Sequence, residues 1–129
     1  MNIKLKVASA LLGIMGAGAA FAWQAHSHEH QAGKSTQITG QVVEIACFVG
    51  HDSSGPKHAK CAEACARAGN PLAIYDETAK ALYLPISLDH KNPNTKLMAF
   101  IEKKVKVTGT LMEKAGLRGI AIENVEAAQ

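Results

Sequence analysis

The stretches Ile38–Val49 (ITGQVVEIACFV) and Lys104–Met112 (KVKVTGTLM) decide the fold of this chain. Both are rich in β-branched residues, and the second alternates apolar and polar side chains with the two-residue period of a half-buried strand. In the first, four apolar side chains share one face of the predicted strand: Val43, Ile45, Cys47 and Val49. Each stretch also has a Thr-Gly pair, ending at Gly40 and at Gly109. A glycine inside a strand often marks a bend or a bulge, as at a barrel corner.

The residues between and after these stretches predict three more strands and two helices. A cluster of turn residues at 51–56 is followed by an alanine-rich run, which predicts a helix over 56–68 that ends at Gly69-Asn70-Pro71. The other predicted elements are a hairpin of two short strands, a second helix and a last strand: Leu72–Tyr75, Ala81–Ile86, Asn94–Glu102 and Gly119–Val125.

Three of these segments resemble strands of a known fold family. ITGQVVEIACF, VKVTGTLMEKAG and IAIENVE are similar to the first, fourth and fifth strands of small exported bacterial OB-fold proteins. The resemblance implies a mainly β domain with one or two helices, built as a five-stranded, partly open barrel over residues 38–126. A small β-sandwich is the alternative. The helix at 56–68, inserted after the first strand, departs from the simplest OB plan and carries two of the three cysteines.

The N-terminal segment has the pattern of a secretory signal peptide. Lys4 and Lys6 precede an uncharged run from Val7 to Ala22, which ends in Ala20-Phe21-Ala22, with small residues at the −3 and −1 positions of a cleavage site. Residues 1–22 are therefore predicted to be removed on export, which leaves a periplasmic or secreted protein with no membrane attachment. An uncleaved anchor is the alternative.

The charge of the whole chain belongs mostly to this segment. The 129 residues have a formal net charge of +3, and removal of Lys4 and Lys6 with the signal peptide leaves 107 residues with a charge of +1. Nucleic-acid binding requires a clustered basic surface, so this balance argues against a nucleic-acid partner. Residues 23–37 are polar, rich in histidine and without periodicity, which predicts a flexible leader.

The cysteines and histidines carry the chemistry. Cysteines of exported proteins are commonly paired or bound to metal, and three is an odd number. His58, Cys61 and Cys65 form one stripe on the predicted helix, and Cys47 meets that stripe if the helix folds back across the end of the first strand. Such a Cys3His set suits copper, with zinc as the alternative. A disulfide from Cys47 to one of the other two cysteines, buried structural thiols and thiol-redox chemistry remain open.

The remaining histidines are accessory candidates, and no catalytic motif is present. His51 lies in the loop after the first strand, and His26, His28 and His30 lie in the leader, where such tracts can bind metal. We therefore expect a non-enzymatic copper-binding or carrier protein that exchanges metal with another exported metal-handling protein. Periplasmic OB-fold copper carriers are an analogy of architecture only, because their Met and His ligands are not reproduced here. A disulfide-stapled OB-fold interaction module is the first alternative, and a periplasmic thiol-redox protein is the second.

Overall fold

A computed structural model describes residues 33–129. Five strands and two α-helices follow one another as β1 Lys34–Glu44, α1 Ile45–His51, α2 Ala59–Arg67, β2 Leu72–Asp76, β3 Ala81–Ile86, β4 Lys104–Lys114 and β5 Leu117–Ala127. Two short 3-10 helices, Pro93–Lys96 and Met98–Phe100, lie between β3 and β4. The predicted signal peptide and the leader up to residue 32 lie outside the described residues, so both stay predictions.

The strands form a single closed barrel with the order β1-β2-β3-β5-β4, in which β4 pairs again with β1. Every pair is antiparallel except β3 with β5, which is parallel. The predicted OB-fold-like, mainly β barrel is therefore confirmed. The parallel pair closes the ring that the OB plan was expected to leave partly open, and the β-sandwich alternative is wrong because no second sheet faces the first within residues 33–129.

Strand β1 differs from its predicted bounds at both ends. It begins at Lys34, inside the predicted leader, because Lys34 to Gln41 pair with β4. It ends at Glu44, and the next residues form α1 rather than more strand, so Cys47 lies on a helix. Apolar alternation continues past Glu44 in the sequence, but Val49 on the same predicted face is 66% exposed. The alternation therefore predicted too long a strand.

The helical segments also differ in detail. Helix α2 begins at Ala59, because Pro56 and Lys57 form a turn in which the His58 amide donates to the Gly55 carbonyl. The helix predicted over Asn94–Glu102 is replaced by the two 3-10 helices, which are short and tight. The predicted hairpin is confirmed, since β2 and β3 pair antiparallel up to Asp76 and Ala81.

The core fills the barrel and extends to the helices. Its buried members are apolar residues of four strands, of α2 and of the segment with the two 3-10 helices: Ile38, Val42, Ala62, Ala66, Leu72, Ile74, Leu97, Ile101, Val105, Val107, Ile120 and Ile122. Leu97, between the two 3-10 helices, is completely buried. Helix α2 rests on β1 through Ala62 and Ala66, whose small side chains allow a close approach. That contact holds the cysteine-bearing helix against the barrel.

Gly40 and Gly109, the glycines of the two Thr-Gly pairs, lie where neighbouring backbones approach closely. A Cβ atom on Gly40 would lie 2.5 Å from the carbonyl oxygen of Tyr75, and one on Gly109 would overlap that of Ala121. The β4–β5 register shifts between Thr108 and Gly109. The expected bulge is therefore present at Gly109, and Gly40 permits the close contact between β1 and β2.

We expect Gly109→Ala to lower the free energy of unfolding by about 1–3 kcal/mol, since the added methyl group must displace the backbone of β5. Urea unfolding of the two proteins measures this difference. Gly50→Ala is the control, because a Cβ atom at Gly50 meets nothing within 4 Å. Equal loss of stability in both variants would contradict the close-approach explanation.

Candidate metal centre

The three cysteines come together at one end of the barrel. Their Sγ atoms all lie within 4.8 Å of one another, and none is in a disulfide. Cys47 is in the first turn of α1, and Cys61 and Cys65 are one turn apart on α2. The predicted return of this helix across the end of β1 is therefore confirmed, although Cys47 reaches the cluster from a helix. Three sulfur atoms at this spacing are able to hold one metal ion.

One face of α2 packs against the barrel, and another face carries the two cysteines. Ala62 and Ala66 are buried against β1, whereas Cys61 is exposed and Cys65 is half-buried. The helical stripe of alanine and cysteine is therefore not a single core face. Cys47, in contrast, is buried. The cluster thus extends from the protein interior at Cys47 to solvent at Cys61.

Glu44 holds the turn that carries Cys47. Its side chain caps α1, accepting hydrogen bonds from the backbone amides of Ala46 at 3.0 Å and Cys47 at 2.8 Å. Burial disfavours the charged carboxylate, but hydrogen bonds from the Cys47 thiol, these two amides and the Asn70 side chain outweigh it and lower the pKa of Glu44. A buried anion therefore lies directly against the cluster.

The same contact changes the chemistry of Cys47. The hydrogen bond to the Glu44 carboxylate, with burial and a smaller effect of Cys65, raises the pKa of the Cys47 thiol to about 12. Cys47 is therefore a protonated thiol at neutral pH in the metal-free protein. Because metals bind the thiolate, binding at Cys47 must release this proton.

We expect alkylation of the folded, metal-free protein at about pH 8 to modify Cys61 first and Cys47 last, because Cys61 is exposed while Cys47 is buried and protonated. The Cys47 rate should rise with pH, since the thiolate fraction grows as the pH approaches about 12. Mass spectrometry of timed digests gives the order. Unfolded protein is the control, and modification of Cys47 as fast as Cys61 in the folded protein would contradict the assignment.

The fourth predicted ligand, His58, lies just before α2 and outside the group of three sulfurs. Its Nδ1 atom is 3.2 Å from Oε1 of Glu102, and the two side chains are 16% and 1% exposed. The backbone carbonyl of His58 accepts the amide of Cys61, which places the residue one helical turn from the cluster. Its role as a ligand stays a prediction.

Of the accessory histidines, the structure describes only His51, which is not a member of this group. His51 is the last residue of α1 and is exposed. His26, His28 and His30 lie outside the described residues.

No helix within residues 33–129 is long and apolar enough to cross a membrane.

Two carboxylates beside the centre were not predicted from the sequence. Glu44 and Glu102 are both buried, and both contact candidate ligands. Glu44 is the single charged residue inside the apolar run 42–49. A charge inside a run of residues that are usually buried is a signal for a special role. Glu102 has no such signal, because it precedes Lys103 and Lys104 in a charged segment and comes from 44 residues beyond His58.

Comparison with protein-family models, with curated proteins and with solved structures finds no match to this chain.

Proposed function

We propose that this chain is an exported protein that binds copper as Cu(I) through Cys47, Cys61 and Cys65 and passes it to another exported metal-handling protein. The observation that carries the proposal is the approach of three free cysteine sulfurs to within 4.8 Å of one another. The signal-peptide pattern of residues 1–22 supports the exported location. The protein acts on the ion by binding it rather than as an enzyme.

The donor set favours copper over zinc. Thiolates bind both Cu(I) and zinc, but structural zinc sites are almost always tetrahedral with four protein ligands. The group of mutually close donors contains three sulfurs and no fourth member. Zinc is the alternative ion, and His58 as a fourth ligand would give the Cys3His set that zinc also uses.

The exposure of the sulfurs supports a carrier rather than a closed structural site. Cys61 is exposed, so a donor atom of a partner can reach the metal there, while buried Cys47 keeps the ion attached. Exchange of ligands one at a time gives a route from protein to protein without release of free metal.

Native mass spectrometry of the protein isolated anaerobically from the exported fraction tests the proposal. We expect a chain beginning at Trp23, one copper ion per chain, and three free thiols after the metal is removed under denaturing, non-reducing conditions. One free thiol and no metal would instead identify a disulfide-stapled interaction module. Three thiols with no uptake in a Cu(I) titration would also overturn the proposal, and preferential retention of zinc over Cu(I) would reassign the ion.

A further inference from the structure

The hydrogen bond between His58 and Glu102 fixes which nitrogen of the imidazole ring carries a proton. The Glu102 carboxylate accepts from three groups: the Gly55 amide at 2.7 Å, the Gln41 side-chain amide at 2.7 Å, and Nδ1 of His58 at 3.2 Å. With the carboxylate as the acceptor of all three bonds, Nδ1 is the donor. In the neutral ring this tautomer leaves the lone pair on Nε2, which is the atom available to a metal.

Glu102 has an unfavourable backbone conformation, which its neighbours maintain. Its φ angle is +58°, in the left-handed region that residues other than glycine and asparagine rarely adopt, and its carboxylate is buried. Two backbone contacts to Val42 keep it there: the Glu102 amide donates to the Val42 carbonyl at 2.8 Å, and Ile101 forms a bridge with the same residue. Strained, buried polar residues that the surrounding structure retains are concentrated at functional sites.

Ligating histidines in metal sites almost always donate their second ring N–H to a carboxylate, a backbone carbonyl or water. The partner fixes the tautomer and the orientation of the ring, and it increases the basicity of the ligating nitrogen. His58 meets this description, since Glu102 holds Nδ1 and the backbone of His58 is bonded to the turn that carries Cys61.

We infer that Glu102 is the positioning residue of the metal centre: it holds His58 through Nδ1, so that Nε2 joins the three cysteine sulfurs as a fourth ligand when Cu(I) binds. The inference rests on the proposed function, and it adds the fourth donor and the residue that prepares it. His58 lies one helical turn from Cys61 and outside the 4.8 Å sulfur group, so binding includes an approach of the ring to the cluster.

Cu(I) affinity, measured anaerobically by competition with a chromophoric chelator, tests the inference in variants of the whole exported chain. We expect Glu102→Gln to weaken binding by about 10–100-fold, as is typical for an outer-shell partner of a metal ligand. His58→Ala should weaken it at least as much, and the double variant should be no weaker than His58→Ala, because Glu102 acts only through His58. The control is Glu63→Gln on α2, whose carboxylate is in an exposed pair with Arg67, and it should leave the affinity unchanged.

The wild-type protein gives a second test that does not depend on a variant folding. Nitrogen-15 NMR of the histidine rings should show His58 with its proton on Nδ1 in the metal-free form, and Cu(I) should shift the Nε2 resonance of this ring. A purely structural bond between His58 and Glu102 would not move that resonance.

The outcomes separate this inference from the proposed function. Tight Cu(I) binding with an unmoved His58 resonance, or with the Glu102→Gln loss undiminished in the His58→Ala background, would overturn the role of Glu102 and leave a three-thiolate copper protein. Failure of the wild-type protein to bind Cu(I) would overturn the proposed function itself.

Discussion

Cys65→Ser is expected to lower the affinity for Cu(I) by at least about 100-fold, which is the upper end of the loss caused by removing an outer-shell partner of a ligand. The serine hydroxyl is a hard oxygen donor, and Cu(I) prefers soft sulfur. The Sγ atom of half-buried Cys65 lies within 4.8 Å of both other sulfurs, so the substitution removes one of the three mutually close soft donors. Chelator competition under anaerobic conditions measures the change.

The fold itself should tolerate this substitution. Cys65 does not belong to the buried core. Substitutions outside the core usually change the free energy of unfolding by no more than about 0.5 kcal/mol. Ala64→Ser is the matched control, because it adds a hydroxyl group to the neighbouring exposed position of α2 without removing a sulfur. Retention of wild-type affinity in Cys65→Ser, with the control also unchanged, would show that Cys65 is not a ligand.

Leu97→Ala is expected to lower the free energy of unfolding by about 2–5 kcal/mol, the range measured for removal of large aliphatic side chains from protein cores. Leu97 is completely buried and belongs to the main core cluster, in which strand and helix residues pack together. The 3-10 helix before Leu97 is bonded to β2, since the side chain of Asn94 accepts the backbone amide of Leu72 at 3.0 Å. The surrounding structure therefore has little freedom to collapse into the cavity.

Thermal or urea unfolding of the metal-free protein measures this loss. Leu88→Ala is the control, because Leu88 is 50% exposed in the loop after β3 and should cost far less. Total stabilities of small domains are about 5–15 kcal/mol, so the Leu97 variant should lie visibly closer to unfolding. A loss in Leu97→Ala no greater than that in Leu88→Ala would contradict the assignment of Leu97 to the core.

Strand periodicity predicted the barrel well because burial on one face of a strand acts directly on every second residue. The prediction failed at Glu44, where the chain leaves the strand while the apolar pattern continues. There a local hydrogen bond decides the structure: the side chain of Glu44 caps α1 and outweighs the apolar alternation. The start of β1 at Lys34 could not be predicted either, since polar residues 34–37 are in a strand only because β4 pairs with them.

The candidate site was predictable as far as its sulfur atoms. Helical spacing places Cys61 and Cys65 one turn apart, and the short connection from β1 limits how far away Cys47 can be. Of the two carboxylates beside the ligands, Glu44 left a signal as the lone charge of an apolar run, whereas Glu102 left none. Glu102 reaches His58 from the segment just before β4, and a contact between residues 44 positions apart leaves no periodic trace in the sequence.

Closure of the barrel also limits how a partner can bind. Within residues 33–129 each of the five strands has a neighbour on both sides, but the pairing is incomplete: residues 34–40 of β1 pair with β4 and not with β2. Strand addition by an extended peptide is thereby limited to such short stretches. Under the proposed function, a receiving protein would reach the metal at Cys61, the exposed sulfur, and would contact side chains of the two helices there.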